Sequence, residues 1–167
     1  NVVAIGRAAA FANMTAAADG TVAIGVHSLM ANTTGAGNTA VGFQTLRTNI
    51  DGDFNTAVGY QALETFEADS DGHGKNTAVG YNAGQAAGGA TTAGGSLVAI
   101  GKGSAAANLT SDADGSVFIG AAAGAAVTSG QKNVAIGYQA LDAEDDGDSC
   151  VAIGHQALSA QTGVSGE

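Results

Sequence analysis

Residues 55–63 read Asn-Thr-Ala-Val-Gly-Tyr-Gln-Ala-Leu, and the same phrase returns along the chain with small variations. Five-residue relatives end at Gly6 (VVAIG), Gly25 (TVAIG), Gly42, Gly59 and Gly80 (NTAVG), Gly101 (LVAIG), Gly120 (SVFIG), Gly137 (NVAIG) and Gly154 (CVAIG). Successive glycines stand 19, 17, 17, 21, 21, 19, 17 and 17 residues apart. Internal periodicity of this kind decides the fold before any local propensity does. A period near 18 residues is too short for a helical hairpin repeat, which takes about 33 residues or more.

The columns around the glycine carry the argument. One residue before it stands Ile or Val in every copy, and two before stands Ala, with Phe118 the one exception. Three before stands Val or, at Thr39, Thr56 and Thr77, Thr. Three after stands Ala, Ser or Thr, and four after stands Leu at 29, 46, 63, 141 and 158. β-Branched residues at alternate positions favour a strand, whose side chains point to opposite faces in turn. The Val/Thr and Ile/Val columns then share one face, and the Ala and Gly columns the other, where something must approach closely. Each repeat therefore reads as one coil of a parallel β-solenoid, nine coils in all, within a single domain spanning 1–167.

Charge respects this frame. No Asp or Glu lies within four residues of an anchor glycine; Asp19, Asp51, Asp53, Glu67, Asp69, Asp71, Asp112, Asp114 and Glu144–Asp148 all fall in the connections. The turn pairs Asp19-Gly20, Asp71-Gly72, Asp114-Gly115 and Asp146-Gly147 sit there too. All eight spacings are odd, which fits two readings equally: longer connections that grow as paired arms, one residue on each side, so that facing is preserved, or simple duplication of a few ancestral lengths. Nine coils at the strand spacing of about 4.8 Å make a thin rod of roughly 40 Å. Both faces of its strands are small or apolar, so a lone rod leaves one apolar stripe in water. Lateral association of identical chains would cover it. Repeats run to both ends with nothing resembling a cap, which predicts a segment of a longer fibre or coils that continue end to end.

Composition bounds the function. Charged residues make up 12 % of the 167, about half the usual share of roughly 25 %. The net charge is −10, which argues against nucleic acid and against docking on anionic lipid. One cysteine, Cys150, excludes an internal disulfide, and no apolar run reaches the length of a membrane span.

The sequence Asn133-Val-Ala-Ile-Gly137, with Thr21–Gly25 and Ser116–Gly120, resembles the repeat of YadA-like heads in trimeric autotransporter adhesins. Asn55–Leu63 is similar to repeats of bacteriophage tail fibres. The resemblance covers essentially the whole chain. It implies a left-handed parallel β-roll, three chains side by side, an extracellular, cell-surface or virion location, and attachment to a host receptor or glycan. The family has no catalytic residues to carry over. Coils in those heads are shorter; the extra residues here fall in the acidic connections.

Candidate chemistry is sparse, and the chain reads as no enzyme. Six residues beyond Val41 and Val58 stand Arg47 and Glu64 rather than aliphatics, which speaks against a hexapeptide acyltransferase. Asp69, Asp71, Glu144, Asp146 and Asp148 are weak calcium candidates, since clustered carboxylates supply oxygen ligands, but no complete calcium loop is present. No other cofactor is expected. Paired acids without an apolar pocket or a sugar platform read as solvated turns rather than a glycosidase centre. His27, His73 and His155 share no metal-ligand spacing. Phe43, Tyr60, Tyr81, Tyr138 and His155 occupy the column just after the glycine and read as an aromatic ladder. Asn38, Asn55 and Asn76, and beside them Thr39, Thr56 and Thr77, read as internal ladders. Glycosylation sequons stand at Asn13, Asn32 and Asn108. The leading expectation is an adhesive fibre segment whose connections at 64–75 and 84–96 contact the target. The alternatives are a purely structural filament subunit that stacks end to end, and a solenoid that binds ice or a crystalline polymer through a flat Thr array.

Overall fold

The computed structural model describes residues 1–66, 74–86, 96–107, 115–143 and 146–160. Nine short strands lie side by side in a single parallel sheet in strict chain order. They are β1 (Val2–Ile5), β2 (Thr21–Ile24), β3 (Thr39–Val41), β4 (Thr56–Val58), β5 (Thr77–Val79), β6 (Val98–Ile100), β7 (Val117–Ile119), β8 (Val134–Ile136) and β9 (Val151–Ile153). Register follows the sequence columns: Ala40 pairs with Ala57, Ala57 with Ala78, and Phe118 with Ala135. The fold is an all-β solenoid. Its nine strands wind through about seven turns, fewer than the nine coils expected from the anchors.

Each strand ends at its glycine for two physical reasons. The nine anchor glycines have φ between 129° and 139°, a region that L side chains rarely adopt. A Cβ on Gly6 would also sit 2.6 Å from the Gly25 carbonyl oxygen, and one on Gly101 2.5 Å from that of Gly120. What approaches closely is therefore the backbone of the next coil. At Gly154, in the last described strand, a Cβ would meet only the Ala157 Cβ at 4.0 Å among the described residues.

Past the glycine the chain alternates in handedness. The second and fourth residues after each anchor are left-handed, including Gln61 (φ 53°) and Leu63 (φ 50°). For a bulky residue this conformation costs about 1–2 kcal/mol, so the surroundings must impose it. They do so by coil-to-coil hydrogen bonds: the Gln61 N–H donates backwards to Phe43 O at 2.8 Å, and the Leu63 N–H forwards to Ala83 O at 3.0 Å. The strands use the same alternation, with Gly59 N–H donating to Val41 O and Thr56 N–H to Asn76 O, both at 2.8 Å.

This winding turns the Ala column and the residues three and four after the glycine inward. Ala23, Ala40, Ala57, Ala78, Ala99 and Ala135 are fully buried, as are Leu29, Leu46, Leu63 and Leu141, in one continuous apolar cluster. Where Phe118 replaces Ala, the residue four after the glycine is Gly124 rather than Leu, and a Cβ on Gly124 would lie 2.6 Å from Phe118 Cε1. The position before each strand is inward too. Asn55 Nδ2 donates to Asn38 Oδ1 at 3.0 Å, and Asn76 Nδ2 donates to Asn55 Oδ1 at 3.1 Å. A second ladder, absent from the sequence reading, joins Asn49 Nδ2 to Asn32 Oδ1 at 3.1 Å; its signal is a shared place seven residues after the glycine. Asn32 is fully buried, which removes its sequon from solvent.

The expectation of paired arms fails in the first long connection. Between Gly6 and Gly25 the surplus forms a 3-10 turn, Ala16–Ala18, whose Thr15 hydroxyl accepts the Ala17 N–H at 3.3 Å. A single turn absorbs residues without a partner strand. The surplus residues of the two 21-residue spacings and of the Gly101–Gly120 spacing lie largely outside the described residues.

Candidate functional site

The most distinctive surface is the outward side of the sheet. In a strand whose Ala points in, the residues on either side of it point out. The outward columns are therefore Val or Thr three before the glycine and Ile or Val one before it, aligned by the strand pairing. None of these positions is charged. Along the middle of the rod they are half-buried to exposed, Val79 and Ile100 each at 37 %; at the terminal strands Ile5 and Ile153 reach 59 % and 65 %. The face is thus an uncharged strip, apolar except for the hydroxyls of Thr39, Thr56 and Thr77, in a chain of net charge −10.

The column after the glycine flanks this strip and holds five rings, with Arg7, Val26, Lys102 and Ala121 in the other rows. Phe43 and Tyr60 stack with ring centroids 5.1 Å apart and planes 13° apart, and Tyr60 and Tyr81 at 5.1 Å and 7°. This spacing is close to the strand repeat of about 4.8 Å, so the rings take their order from the coils and present their edges sideways. Tyr138 and His155 form a second stack at 5.2 Å. Behind the rings, Gln61 Nε2 donates to Gln44 Oε1 at 2.9 Å, and Gln156 Nε2 to Gln139 Oε1 at 3.1 Å.

The structure separates the two polar columns that the sequence left together. Asn38, Asn55 and Asn76 face inward and satisfy one another, whereas Thr39, Thr56 and Thr77 face outward on the apolar strip. The Asn column can sit inside because each amide both donates and accepts along the axis. Hydroxyls in the interior behave differently: Ser28 Oγ donates to Ala40 O at 3.0 Å and Thr45 Oγ1 to Ser28 Oγ at 3.1 Å.

Of the calcium candidates, Asp69, Asp71 and Glu144 lie outside the described residues, as do His73 and Asn108. Asp146 is exposed. Asp148 is engaged by backbone: its Oδ1 accepts the Gln131 N–H at 2.7 Å. Asp53 Oδ1 accepts the Ala36 N–H at 2.6 Å in the same way, one coil back. These two acids thus tie neighbouring turns together. Among the described residues no three His, Cys, Asp or Glu side chains come together as a metal set. Of the expected contact loops, 67–73 and 87–95 are outside the described residues. Arg47 Nε pairs with Glu64 Oε1 at 3.1 Å, and Gln85 Nε2 donates to Glu64 Oε2 at 3.0 Å, which links three coils at the start of those loops. Cys150 holds the place of the Asn column, its N–H donating to Asn133 Oδ1 at 2.8 Å. Among the described residues no helix is long and apolar enough to cross a membrane.

No family model, curated protein or solved structure matches the chain.

Proposed function

We propose that the chain is a segment of a trimeric fibre, a left-handed β-roll of the kind found in YadA-like adhesin heads and phage tail fibres, which attaches to a host cell or surface. The observation that carries this reading is the uncharged outward strip. Eight strand steps of about 4.8 Å, by about 13 Å for the four residue steps from the Val/Thr column to the ring column, give on the order of 500 Å² before side-chain relief. The strand columns of that face carry no charge, its ring column carries Arg7 and Lys102, and its flat area is a little over half of the roughly 800 Å² per partner that a stable contact takes. A second copy fits it best, because only another solenoid repeats its apolar rows at the same spacing. The acidic connections then lie away from the contact, where they are free to present variable loops to a target.

Sedimentation equilibrium tests the assembly: a three-chain mass is expected, and a monomer at micromolar concentration overturns it. Attachment is tested by binding of the labelled trimer to glycan arrays and to cells, with loss of binding expected when connections 64–75 or 84–96 are shortened to the 17-residue coil length. A second reading has one observation in its favour, the outward Thr39, Thr56 and Thr77 in register. An array of this kind suits a periodic solid such as ice, and thermal hysteresis by the monomer would select that reading instead.

A further inference from the structure

A rod built of equal coils has an assembly problem. Its outward strip repeats with every coil, so a neighbouring chain displaced by one coil meets almost the same rows of Val and Ile. Apolar packing is non-directional and does not by itself choose among such displacements. Repeating strands slip in the same way when their faces carry no distinguishing residues.

The column after the glycine varies from row to row, from Arg7 to His155; within the strand columns one feature breaks the repeat. Six of the nine rows carry Val three before the glycine; three consecutive rows, near the middle, carry Thr39, Thr56 and Thr77. Nothing inside the chain demands Thr there. The strands on both sides hold Val at the paired positions, Val22 and Val98, with the same register and the same flanking Ala. Among the described residues the three hydroxyls make no side-chain hydrogen bond, unlike the interior Thr21, which donates to Gly35 O at 3.4 Å, and Thr45. They therefore point their hydrogen-bonding capacity away from their own chain.

We infer that Thr39, Thr56 and Thr77 form the axial register key for lateral association with further copies of this chain. The inference rests on the assembly reading above and adds what aligns the chains. With chains level, each hydroxyl faces its equivalents and finds a partner that both donates and accepts. A displacement of one coil sets a hydroxyl against the methyl groups of Val22 or Val98 at the ends of the block. That leaves polar groups unmatched in an apolar contact, which is the costly outcome. A single polar position in a coiled-coil seam fixes register by the same logic.

The test uses two reporters outside the block, Ile119→Cys and Ile136→Cys, each with Cys150→Ser, one of them mass-tagged. The two are folded together, oxidised, and their cross-links read by mass. Sedimentation comes first, and a monomeric parent protein overturns the assembly reading itself. In the oligomer, level chains link 119 to 119 and 136 to 136, while chains one coil out of step link 119 to 136. The parent should give matched links at least tenfold over mixed ones, a preference of about 1.4 kcal/mol. Thr39→Val with Thr56→Val and Thr77→Val installs the residue of the other six rows, so folding is kept. It should raise mixed links to about the yield of matched ones. Matched links alone in the oligomeric triple variant, or mixed links already abundant in the parent, overturn the register key. An oligomer in which neither cysteine links puts the contact on another face and overturns both readings.

Discussion

The coil closed by Gly59 and the coil closed by Gly120 enclose the same interior with different residues. The first uses a small residue in the strand, Ala57, and a large one after the turn, Leu63, both fully buried. The second reverses the sizes, with Phe118 in the strand and Gly124 after the turn. Neither column is fixed in identity: the large strand residue Phe118 faces a small one after the turn, while the Gly80 coil, with Ala78 and Gly84, is small at both places. Interiors are close-packed, so a volume moved across the coil is tolerated while a volume added or lost is not. The two glycines of the second coil then have different meanings. Gly120 is demanded by its φ of 135° and by the Gly137 backbone, whereas Gly124, at φ 60°, stands where Leu63 stands at φ 50°, and there it is the Phe118 ring that a Cβ would meet.

The largest effect should separate those glycines. Gly120→Ala puts a Cβ 2.6 Å from the Gly137 carbonyl carbon, against backbone that cannot yield. Strain of about 1–3 kcal/mol adds to that clash, so a loss of more than about 4 kcal/mol is expected, read as loss of cooperative unfolding by circular dichroism. Gly154→Ala, with the same φ region and only the Ala157 Cβ at 4.0 Å to meet among the described residues, should lose only the strain. Equal losses at the two sites would mean that dihedral angle alone, not close approach, demands the glycine.

Next comes the exchange of volume. Phe118→Ala should cost about 3–5 kcal/mol in denaturant unfolding, since the Gly124 coil has no Leu to fill the void. Adding Gly124→Leu rebuilds the arrangement of the Gly59 coil and should recover most of the loss, although Gly124→Leu alone should destabilise by about 1–3 kcal/mol through overpacking. If the two changes proved additive, the shared-interior account would be wrong.

The polar interior offers a smaller effect. Asn55→Ala deprives the buried Asn76 amide and side chain of their acceptor, both at 3.1 Å, and should cost about 2–3 kcal/mol. The Gly120 coil has Ser116 at the matching place and accepts through a shorter side chain, Asn133 N–H donating to Ser116 Oγ at 3.1 Å. Ser116→Ala should therefore cost less, about 1 kcal/mol. Smallest of all, Asp53→Ala removes the acceptor of the part-buried Ala36 N–H and should cost about 0.5 kcal/mol in denaturant unfolding, with the circular dichroism spectrum unchanged.

Much of this was legible in the chain because the coil period is written in every column. Anchors spaced 17 to 21 residues apart predict one strand per repeat, and pairing of like columns predicts Ala57 beside Ala40 and Ala78, as found. The aromatic stack at Phe43, Tyr60 and Tyr81 follows from the same logic. Other features left no trace of their kind. Leu63 gives no sign of a left-handed backbone, since Leu disfavours it. The 3-10 turn at 16–18 replaces paired arms because a run of alanines closes on the Thr15 hydroxyl without help from a partner.

Period and residue size by themselves determined a stack of equal coils, their register and the columns that must stay small. Which side of the strand faced inward was undecided, because Ala, Val and Ile are all apolar and alternation alone does not name the buried face. The tertiary structure decided it through the left-handed turn after each glycine: that turn folds Leu and its neighbours over the Ala side, fills the interior there, and leaves Val, Ile and the three Thr hydroxyls outside.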